Sequence, residues 1–210
     1  MNFDSLIIKL QNRLAQPLPG EDAHRVMAPI KTDQRRFDLN FRADARTGAV
    51  LILLYPLGND EIAFPLIQRP KYNGVHSGQI GLPGGKTEES DSNLAETALR
   101  ETQEEVGVDY SLIRVLGGLT ELYLPVSNFR ITPIVGCIAD KPTFRPDDIE
   151  VEEVIEAKIS TILNEENVKV KDISVGQGIS LSAPYFDVDS HVVWGATAMM
   201  ISEFVSILKD

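Results

Sequence analysis

The sequence has a single cysteine and no apolar run long enough to cross a membrane. An internal disulfide is therefore excluded, which is compatible with a reducing, cytoplasmic location. The apolar surroundings of Cys137 predict a small buried core residue. No secretory segment is visible: the opening MNFDSLIIKLQNRLAQ has the spacing of an amphipathic helix that packs on the body or on a second subunit.

Basic residues are outnumbered by acidic ones, which gives a formal net charge of -11. Nucleic acid is disfavoured as a general partner because such binding depends mainly on basic surface. The 43% hydrophobic content is enough to bury a full core, and no repeat or linker interrupts the chain. We therefore expect one main domain over residues 46–210 and an N-terminal helical elaboration over residues 1–45.

Three glutamates dominate the segment between Gly84 and Gly107. Glu101, Glu104 and Glu105 have helical i, i+3, i+4 spacing, so their carboxylates share one face. Each like-charge pair costs a helix roughly 0.2–0.5 kcal/mol, so the cluster favours a bound cation such as Mg²⁺ or Mn²⁺ over a purely structural purpose. The alternative is a solvated acidic face.

Helix signals surround this cluster. Asp91 or Ser92 is expected to cap the helix start, and Gly107 to end it in a left-handed conformation. An apolar stripe beside the acids predicts that one side packs inward. Its members are Ala95, Ala98, Leu99, Thr102 and Val106.

A glycine-rich loop, VHSGQIGLPGGK, comes directly before the helix. Glycines at Gly84 and Gly85 allow close backbone approach to a ligand, which suits a loop that wraps phosphates and offers a carbonyl to a metal. Alone the loop is weak evidence, because such turns are common. Next to the acidic helix it predicts a site for a phosphorylated ligand.

At this point the chain resembles the Nudix hydrolases, whose signature is G-x5-E-x7-R-E-U-x-E-E-x-G-U, with U aliphatic. The matching residues are Gly85, Arg100, Glu101, Glu104, Glu105, Gly107 and Val108. Two positions depart from the pattern. Asp91 replaces the first glutamate, with one residue more than usual before Arg100, and Thr102 stands where an aliphatic residue is usual.

The preceding run resembles the coenzyme A pyrophosphatase branch of that family, in which an H-x-G-x-[IV]-x-[FL]-P-G-G sequence leads into the box. The matching residues are Arg69, His76, Gly78, Ile80, Leu82, Pro83, Gly84 and Gly85. The resemblance implies hydrolysis of coenzyme A or acyl-coenzyme A to 3′,5′-ADP and (acyl-)4′-phosphopantetheine. ADP-ribose or another nucleoside diphosphate derivative remains an alternative substrate, and a non-catalytic nucleotide-binding regulator a second alternative.

Residue roles follow from the same resemblance. It implies that Glu101, Glu104, Glu105 and the Gly85 carbonyl bind Mg²⁺ or Mn²⁺. Arg100, Glu104 and Glu105 are the predicted catalytic residues, and Arg100 is expected to orient a carboxylate unless it forms a simple surface pair with Glu96. Predicted substrate contacts come from Arg69, His76, Gly84 and Gly85. A homodimer is also implied.

Some residues keep two interpretations. Trp194 either lines the pocket or anchors the last helix, and we favour the core. The run Glu150, Glu152, Glu153 and Glu156 is interpreted as solvated, with the alternative that one glutamate reaches the metal or serves as the base. The candidate cations for a phosphorylated substrate are Arg35, Arg36, Arg42, Arg46, Arg69, Lys71, Lys86 and Arg130, with Arg69 the strongest.

The order of apolar segments predicts an α/β fold, a Nudix-type α/β/α sandwich with a mixed sheet and an N-terminal helix. Strands are predicted over residues 49–56, 61–69, 112–124, 129–139 and 151–159, with a late hairpin over 168–175 and 183–188. A short helix over residues 161–164 is expected to be capped by Ser160. Apolar residues at helical spacing predict a final helix over residues 195–210.

Overall fold

The structure is a computed structural model that describes residues 2–30, 44–71, 77–174 and 180–210. Within these ranges the chain forms five α-helices and eleven β-strands. The helices are α1 (Phe3–Leu14), α2 (Glu21–Val26), α3 (Leu94–Val106), α4 (Ile159–Leu163) and α5 (Gly195–Lys209). The strands are β1 (Arg46–Gly58), β2 (Glu61–Gln68), β3 (Ile80–Gly81), β4 (Gly84–Lys86), β5 (Arg114–Gly118), β6 (Leu122–Leu124), β7 (Phe129–Cys137), β8 (Glu153–Lys158), β9 (Val168–Ser174), β10 (Ser180–Val188) and β11 (His191–Trp194).

Strand β1 is the centre of the main sheet. It runs parallel to β7 from the Arg46–Phe129 pair to the Leu54–Cys137 pair. Its start also pairs antiparallel with β4, and its end with β2. Strands β3 and β8 flank β2, whereas β5 and β6 pair with β7. The sheet is therefore mixed, as predicted.

Alternate side chains of β1 enter two separate cores, because successive residues of a strand point to opposite faces. Leu51 and Leu53 pack in the cluster that contains Ala98 and Val106 of α3. Ile52 and Leu54 pack in a larger cluster with residues of α1 and α5. Helices thus cover both faces of the sheet, and the predicted α/β/α fold class is confirmed.

A second sheet of β11, β10 and β9 precedes α5. The predicted late hairpin exists as the antiparallel β9–β10 pair, although residue 175 lies outside the described ranges. Strand β11 was not predicted. It leads into α5 through Gly195, whose φ is 63°, and so sets where the N-terminus of that helix begins.

The N-terminal helices are tied to α5 by a buried carboxylate. Glu203 accepts hydrogen bonds from the backbone N–H of Gly20 (2.9 Å) and from the backbone and hydroxyl of Thr120 (3.0 and 2.6 Å). His24 Nε2 lies 3.1 Å from Glu203 Oε2, the oxygen that also accepts the Thr120 N–H. Burial raises the pKa of Glu203, but the bonds from His24 and Thr120 outweigh it and leave this pKa lowered. These hydrogen bonds offset the free-energy cost of burying a carboxylate.

Three element predictions need correction. The strand predicted over residues 112–124 is divided into β5 and β6, since Thr120 leaves the ladder to bind Glu203. The strand predicted over 151–159 is shortened to β8, and α4 begins at Ile159. Lys158, not Ser160, is the N-cap residue of α4, because the Ser160 hydroxyl donates to Glu61 instead (3.0 Å).

Cys137 is buried, as predicted. In the part of the chain that the structure describes, no helix is both long and apolar enough to span a bilayer.

Candidate active site

Helix α3 presents the glutamate cluster, and its ends are fixed locally. Its N-cap residue is Asn93, whose side chain accepts hydrogen bonds from the backbone N–H groups of Ala95 and Glu96. The prediction that Asp91 or Ser92 caps the helix was therefore wrong. Gly107 ends the helix with φ 71° and donates its N–H to Gln103, as predicted.

Asp91 is instead the main partner of Arg100. Arg100 donates to both Asp91 carboxylate oxygens, from Nε and Nη2, at 3.0 Å each. The Thr97 hydroxyl adds a 2.9 Å bond to the same carboxylate. Because the Arg100 guanidinium favours the ionised form, it holds the pKa of Asp91 well below its usual range. Asp91, which stands where the Nudix signature has its first glutamate, thus binds Arg100, the arginine of that signature.

Arg100 also joins Asp91 to the glutamate cluster. Its Nη1 donates to Glu101 (2.9 Å) and Glu104 (3.3 Å), and its Nη2 donates to the Lys86 carbonyl (3.0 Å). The predicted pairing of Arg100 with a carboxylate is confirmed. The alternative pair with Glu96 is wrong, because Glu96 accepts the N–H and hydroxyl of Ser92.

The three glutamates have different environments. The side chain of Glu105 is 2% exposed, that of Glu101 16% and that of Glu104 57%. Burial is the main reason that the pKa of Glu101 is raised, with Arg100 opposing it. Side-chain exposure therefore falls from Glu104 through Glu101 to Glu105, and the three glutamates do not form one solvated face.

Glu105 is fixed to the glycine turn. Its Oε2 accepts the backbone N–H of Gly84 at 2.7 Å, and its Oε1 lies 3.5 Å from Nη2 of Arg69. Burial raises the pKa of Glu105 to about 7, with Arg69 and the Gly84 N–H opposing the rise and the charges of Glu101 and Glu150 adding to it. A carboxyl with this pKa exchanges protons near neutral pH.

Gly84 and Gly85 leave no room for side chains. A Cβ on Gly84, whose φ is 144°, would lie 2.3 Å from the Ala49 carbonyl oxygen. A Cβ on Gly85 would lie 2.4 Å from a Glu101 carboxylate oxygen. The backbone of these glycines therefore packs closely against β1 and against the Glu101 carboxylate, which requires the absence of a side chain.

Thr102, the other departure from the box pattern, is fully buried in α3. Its hydroxyl donates to the Ala98 carbonyl one turn earlier, at 2.6 Å. A threonine therefore replaces an aliphatic residue here without leaving a buried polar atom unsatisfied.

Carboxylate oxygens are the ligands that hard cations prefer, although these carboxylates do not form a complete coordination shell. Within the described ranges, no three His, Cys, Asp or Glu residues are grouped closely enough to hold a metal ion by themselves. Arg100 keeps its hydrogen bonds to Glu101 and Glu104. The raised pKa of Glu101, caused first by burial and then by the charges of Glu104 and Glu150, is nevertheless what a cation would relieve. The donor set fits Mg²⁺ or Mn²⁺.

Glu150 is the member of the second acidic run that acts on this site, since its charge raises the pKa of both Glu101 and Glu105. Its loop is joined to the end of α3: Arg145 donates its N–H to the Val106 carbonyl (2.9 Å) and Asp147 to that of Glu105 (3.0 Å). The sequence showed the acidic run but not which member approaches α3.

A cavity of about 580 Å³ adjoins the glycine turn. Its lining includes Gly84, Gly85 and the cationic side chains of Arg46, Arg69 and Lys86. The rest is mostly apolar, and it comes from segments far apart in the chain. These lining residues are Pro29, Val50, Ile80, Leu82, Leu124, Val126, Phe129, Ile131, Leu181, Trp194, Ala196 and Met200.

Trp194 lines this cavity and is partly exposed, so the favoured interpretation of a core anchor was wrong. Arg130 pairs with Glu121 at 2.8 Å and does not line the cavity. Four predicted residues, His76, Arg35, Arg36 and Arg42, lie outside the described ranges. The contributions of Pro29, Leu181 and Met200 were missed, because nothing in their local sequence indicates a shared cavity.

Sequence comparison matches residues 45–169 to the NUDIX domain family. The chain belongs to the Nudix family. It is 33% identical over 190 residues to "Nudix hydrolase 15, mitochondrial" of Arabidopsis thaliana, covering 88% of this chain and 64% of that protein. It is 36% identical over 162 residues to "Uncharacterized Nudix hydrolase NudL" of Yersinia enterocolitica, covering 77% and 81%.

The Nudix chain thus spans less than two thirds of the Arabidopsis relative. Among solved structures, it is similar to a MutT/nudix family protein from Enterococcus faecalis, with 16% identity, a TM-score of 0.47 and coverage of 80% of this chain and 64% of that one. Both named relatives are called Nudix hydrolases. Nudix hydrolases in general use divalent metal ions and bind small nucleotide substrates.

Proposed function

We propose that this Nudix protein hydrolyses the diphosphate linkage of coenzyme A or acyl-coenzyme A, with Mg²⁺ or Mn²⁺ as cofactor. The products are 3′,5′-ADP and 4′-phosphopantetheine or its acyl form. One observation carries the proposal: the Gly84–Gly85 turn contacts the carboxylates of α3 and also lines the cavity with Arg69 and Lys86. A diphosphate at this turn meets positive charge and the carboxylates of α3 together.

The coenzyme A assignment is supported by the resemblance of the run from Arg69 to Gly85 to that branch. It is also supported by the cations of the cavity, since a 3′-phosphate adds charge that a simple nucleoside diphosphate lacks. His76, the other residue of that resemblance, lies outside the described ranges.

The residues that would hold the metal are Glu101, Glu104, Glu105 and the Gly85 carbonyl. When bound, a divalent cation supplies Lewis acidity: it lowers the pKa of water and neutralises charge on the leaving phosphate. Arg100 acts as a positioning residue, because it fixes Glu101 and Glu104 while Asp91 fixes Arg100.

Glu105 and Arg69 have the most direct roles in the proposed chemistry. Glu105 takes a proton from water at Oε1, since Oε2 already accepts the Gly84 N–H. Arg69 lines the cavity beside Glu105 and binds a phosphate oxygen. The Gly84 N–H is already bonded to Glu105 and is not available to the substrate. Gly84 contributes to substrate binding instead because its backbone, without a side chain, lets the substrate approach closely.

A substrate panel tests the proposal. Purified protein with Mg²⁺ or Mn²⁺ is given coenzyme A, dephospho-coenzyme A, ADP-ribose and ATP, and kcat/KM is measured for each. We expect coenzyme A to be preferred. A tenfold or greater preference for ADP-ribose would replace the coenzyme A assignment, and nucleotide binding without any hydrolysis would favour the regulator.

A cytoplasmic location and a homodimer belong to the same proposal. Analytical ultracentrifugation at micromolar protein concentration tests the second, and a mass of 23.2 kDa at all concentrations would contradict it. The Arabidopsis relative is named as mitochondrial, so localisation of a tagged copy of this chain is the matching test of the first.

A further inference from the structure

The cavity has one cationic group beside the glycine turn. Arg69 Nη2 lies 3.5 Å from Glu105, whose other carboxylate oxygen accepts the Gly84 N–H. In the sheet, Gly84 pairs with Val50 of β1. Arg69, Gly84 and Val50 all line the cavity. The level of Val50 along β1 therefore marks the position of the turn, where the proposed function places the diphosphate.

Arg46 lines the same cavity from the start of β1. Arg46, Gly48 and Val50 are alternate residues of the strand, so they lie on the same face of the sheet. Four residues at about 3.3 Å each separate Arg46 from Val50 by about 13 Å along the strand. Lys86 pairs with Gly48, midway between them. The cavity therefore receives positive charge at separate levels, from Arg69 beside the turn and from Arg46 beyond Lys86.

The turn between β6 and β7 fixes the Arg46 side chain. Its Nη2 donates to the Ser127 carbonyl at 2.9 Å, and its guanidinium carbon lies 4.9 Å from the centre of the Phe129 ring. Its backbone N–H donates to the Asn128 carbonyl at 3.0 Å. Stacking on a ring orients a guanidinium and leaves its in-plane N–H groups able to donate. The partners that the described residues give to Arg46 are carbonyls and a ring, so they orient its charge without neutralising it.

The Phe129 ring that stacks on Arg46 packs closely on a glycine. A Cβ on Gly48 would lie 2.5 Å from Cε1 of Phe129 and 2.3 Å from the Gly85 carbonyl oxygen. The absence of a side chain at Gly48 therefore lets the ring and the glycine turn pack on the same residue of β1. Because the two share this contact, the position of Arg46 relative to the turn is fixed.

We propose that Arg46 is a specificity-determining residue that binds a phosphate monoester of the substrate, an anionic group separate from the diphosphate. The inference rests on the proposed function and deepens it. In coenzyme A this group is the 3′-phosphate, which the ribose ring holds apart from the 5′-diphosphate. A phosphate monoester carries close to two negative charges at neutral pH, and a guanidinium donates to two of its oxygens at once. Arg69 remains with the diphosphate.

Two substrates that differ only by this phosphate test the assignment. With Mg²⁺ at one fixed ionic strength, kcat/KM is measured for coenzyme A and dephospho-coenzyme A, using the wild type and Arg46→Gln. We expect the wild type to prefer coenzyme A by about tenfold or more, as charge-assisted hydrogen bonds imply. Arg46→Gln should bring the ratio to within about twofold by lowering the value for coenzyme A alone.

Two further variants locate the effect. Arg46→Lys keeps the charge but lacks the planar fork and the stacking, so it should retain only part of the preference. Arg130→Gln is the matched control. Arg130 follows Phe129 in β7, but it pairs with Glu121 at 2.8 Å and does not line the cavity. This variant should keep the whole preference. Circular dichroism melts check that each variant is folded.

Calorimetry in EDTA measures binding without hydrolysis. Titration of the metal-free wild type and of Arg46→Gln with the same two compounds should show the same loss of preference in Kd. A second pair, ADP-ribose and ADP-ribose 2′-phosphate, carries the monoester on a different ribose hydroxyl. A preference that is confined to this second pair and lost in Arg46→Gln supports the phosphate site and rejects the coenzyme A assignment.

The remaining outcomes separate the two proposals. Equal losses for both forms of coenzyme A in Arg46→Gln, an unaltered preference in that variant, or a matching loss in Arg130→Gln overturns the assignment of Arg46. Hydrolysis by the wild type with no preference for the extra phosphate in either pair overturns it as well and leaves diphosphate hydrolysis standing. An Arg46-dependent preference in Kd without hydrolysis of any compound supports the phosphate site and rejects the proposed function.

Discussion

Glu105 accepts a 2.7 Å hydrogen bond from the backbone N–H of Gly84, a residue 21 positions earlier in the chain. The buried Glu105 carboxylate of α3 and the Gly84–Gly85 turn that lines the cavity are therefore directly connected. A change at either residue is expected to alter the position of the other.

Glu101→Gln and Glu105→Gln should each lower kcat/KM by about two orders of magnitude or more while the protein remains folded. The reason is that an amide keeps the shape of the side chain but loses its negative charge. In Glu105→Gln the amide oxygen can still accept the Gly84 N–H. Steady-state kinetics and circular dichroism on the same samples measure the two effects.

Glu96→Gln is the matched control for these two variants, because Glu96 lies on the same helix and its carboxylate accepts the N–H and hydroxyl of Ser92. It should keep nearly full activity. If Glu101→Gln and Glu105→Gln unfolded instead, the acids would be structural, and the site proposed here would be wrong.

The stability of the metal-free protein should depend on pH through Glu105. Its pKa in the folded protein is about 7, above the ordinary value of 4.5. The protonated form is thus favoured by folding, so its stabilising contribution is complete below about pH 4.5 and is lost as the pH rises through 7. Glu105→Gln cannot ionise and should become more stable than the wild type by up to about 3 kcal/mol between pH 5 and pH 8.

Urea denaturation of both proteins at pH 5 and pH 8, with EDTA present, measures this difference in the free energy of unfolding. Groups that do not interact with Glu105 titrate equally in the two proteins and cancel. A difference that stays constant between the two pH values would show that Glu105 is ionised throughout.

Arg100→Lys should lower activity about tenfold to a hundredfold and raise the metal concentration needed for half-maximal rate. Lysine keeps the charge but lacks the planar fork that binds Asp91 and Glu101 together. Kinetics at several Mg²⁺ concentrations make the measurement. Arg13→Lys is the control, since Arg13 also bonds to a carboxylate and a carbonyl, those of Asp210 and Pro17, and none of these residues lines the cavity.

Sequence pattern identified the elements whose signals are local. The apolar run of β1, the helical spacing of α5 and the left-handed stop at Gly107 each depend on nearby residues, and each was predicted. Strands β3 and β4 were missed, because they are only two and three residues long. These two strands form because they pair with β1 and β2, which lie elsewhere in the sequence, so a short window of sequence does not reveal them.

The site was predictable to the same degree. The spacing of Glu101, Glu104 and Glu105 gave the cluster, but the caps of α3 depended on a choice among similar residues. Asn93 and Asp91 are equally good caps in isolation. Arg100, which lies nine residues from Asp91, decides between them. The cavity role of Trp194 depends on β1, β7 and α5 meeting in space, so it could not be read from its neighbours.

Thr102→Val should leave the protein as stable as the wild type or more stable by up to about 1 kcal/mol. Valine fills the same space, and the bond from the Thr102 hydroxyl to the Ala98 carbonyl slightly disfavours the helix. Chemical denaturation measures the free energy of unfolding. Thr102→Ser keeps this bond but removes a buried methyl, so it should be less stable than the wild type; the reverse order would contradict the argument.

Glu203→Gln should destabilise the protein by about 3 kcal/mol, since the amide NH₂ would face the Gly20 N–H if it replaced Oε1 and the Thr120 N–H if it replaced Oε2. Urea denaturation at pH 7 measures the loss. Glu165→Gln, at an exposed glutamate that pairs with Lys209, should cause no measurable change. Equal stability of both variants would mean that the Glu203 network is energetically neutral.

The bonds of Glu203 to Gly20 and His24 join residues 183 and 179 positions apart. During synthesis, the early helices therefore lack their contacts with α5 until almost this whole length has left the ribosome. Such long-range closure slows folding and leaves apolar faces of α1 uncovered meanwhile. The nascent chain should consequently depend on chaperones until α5 emerges.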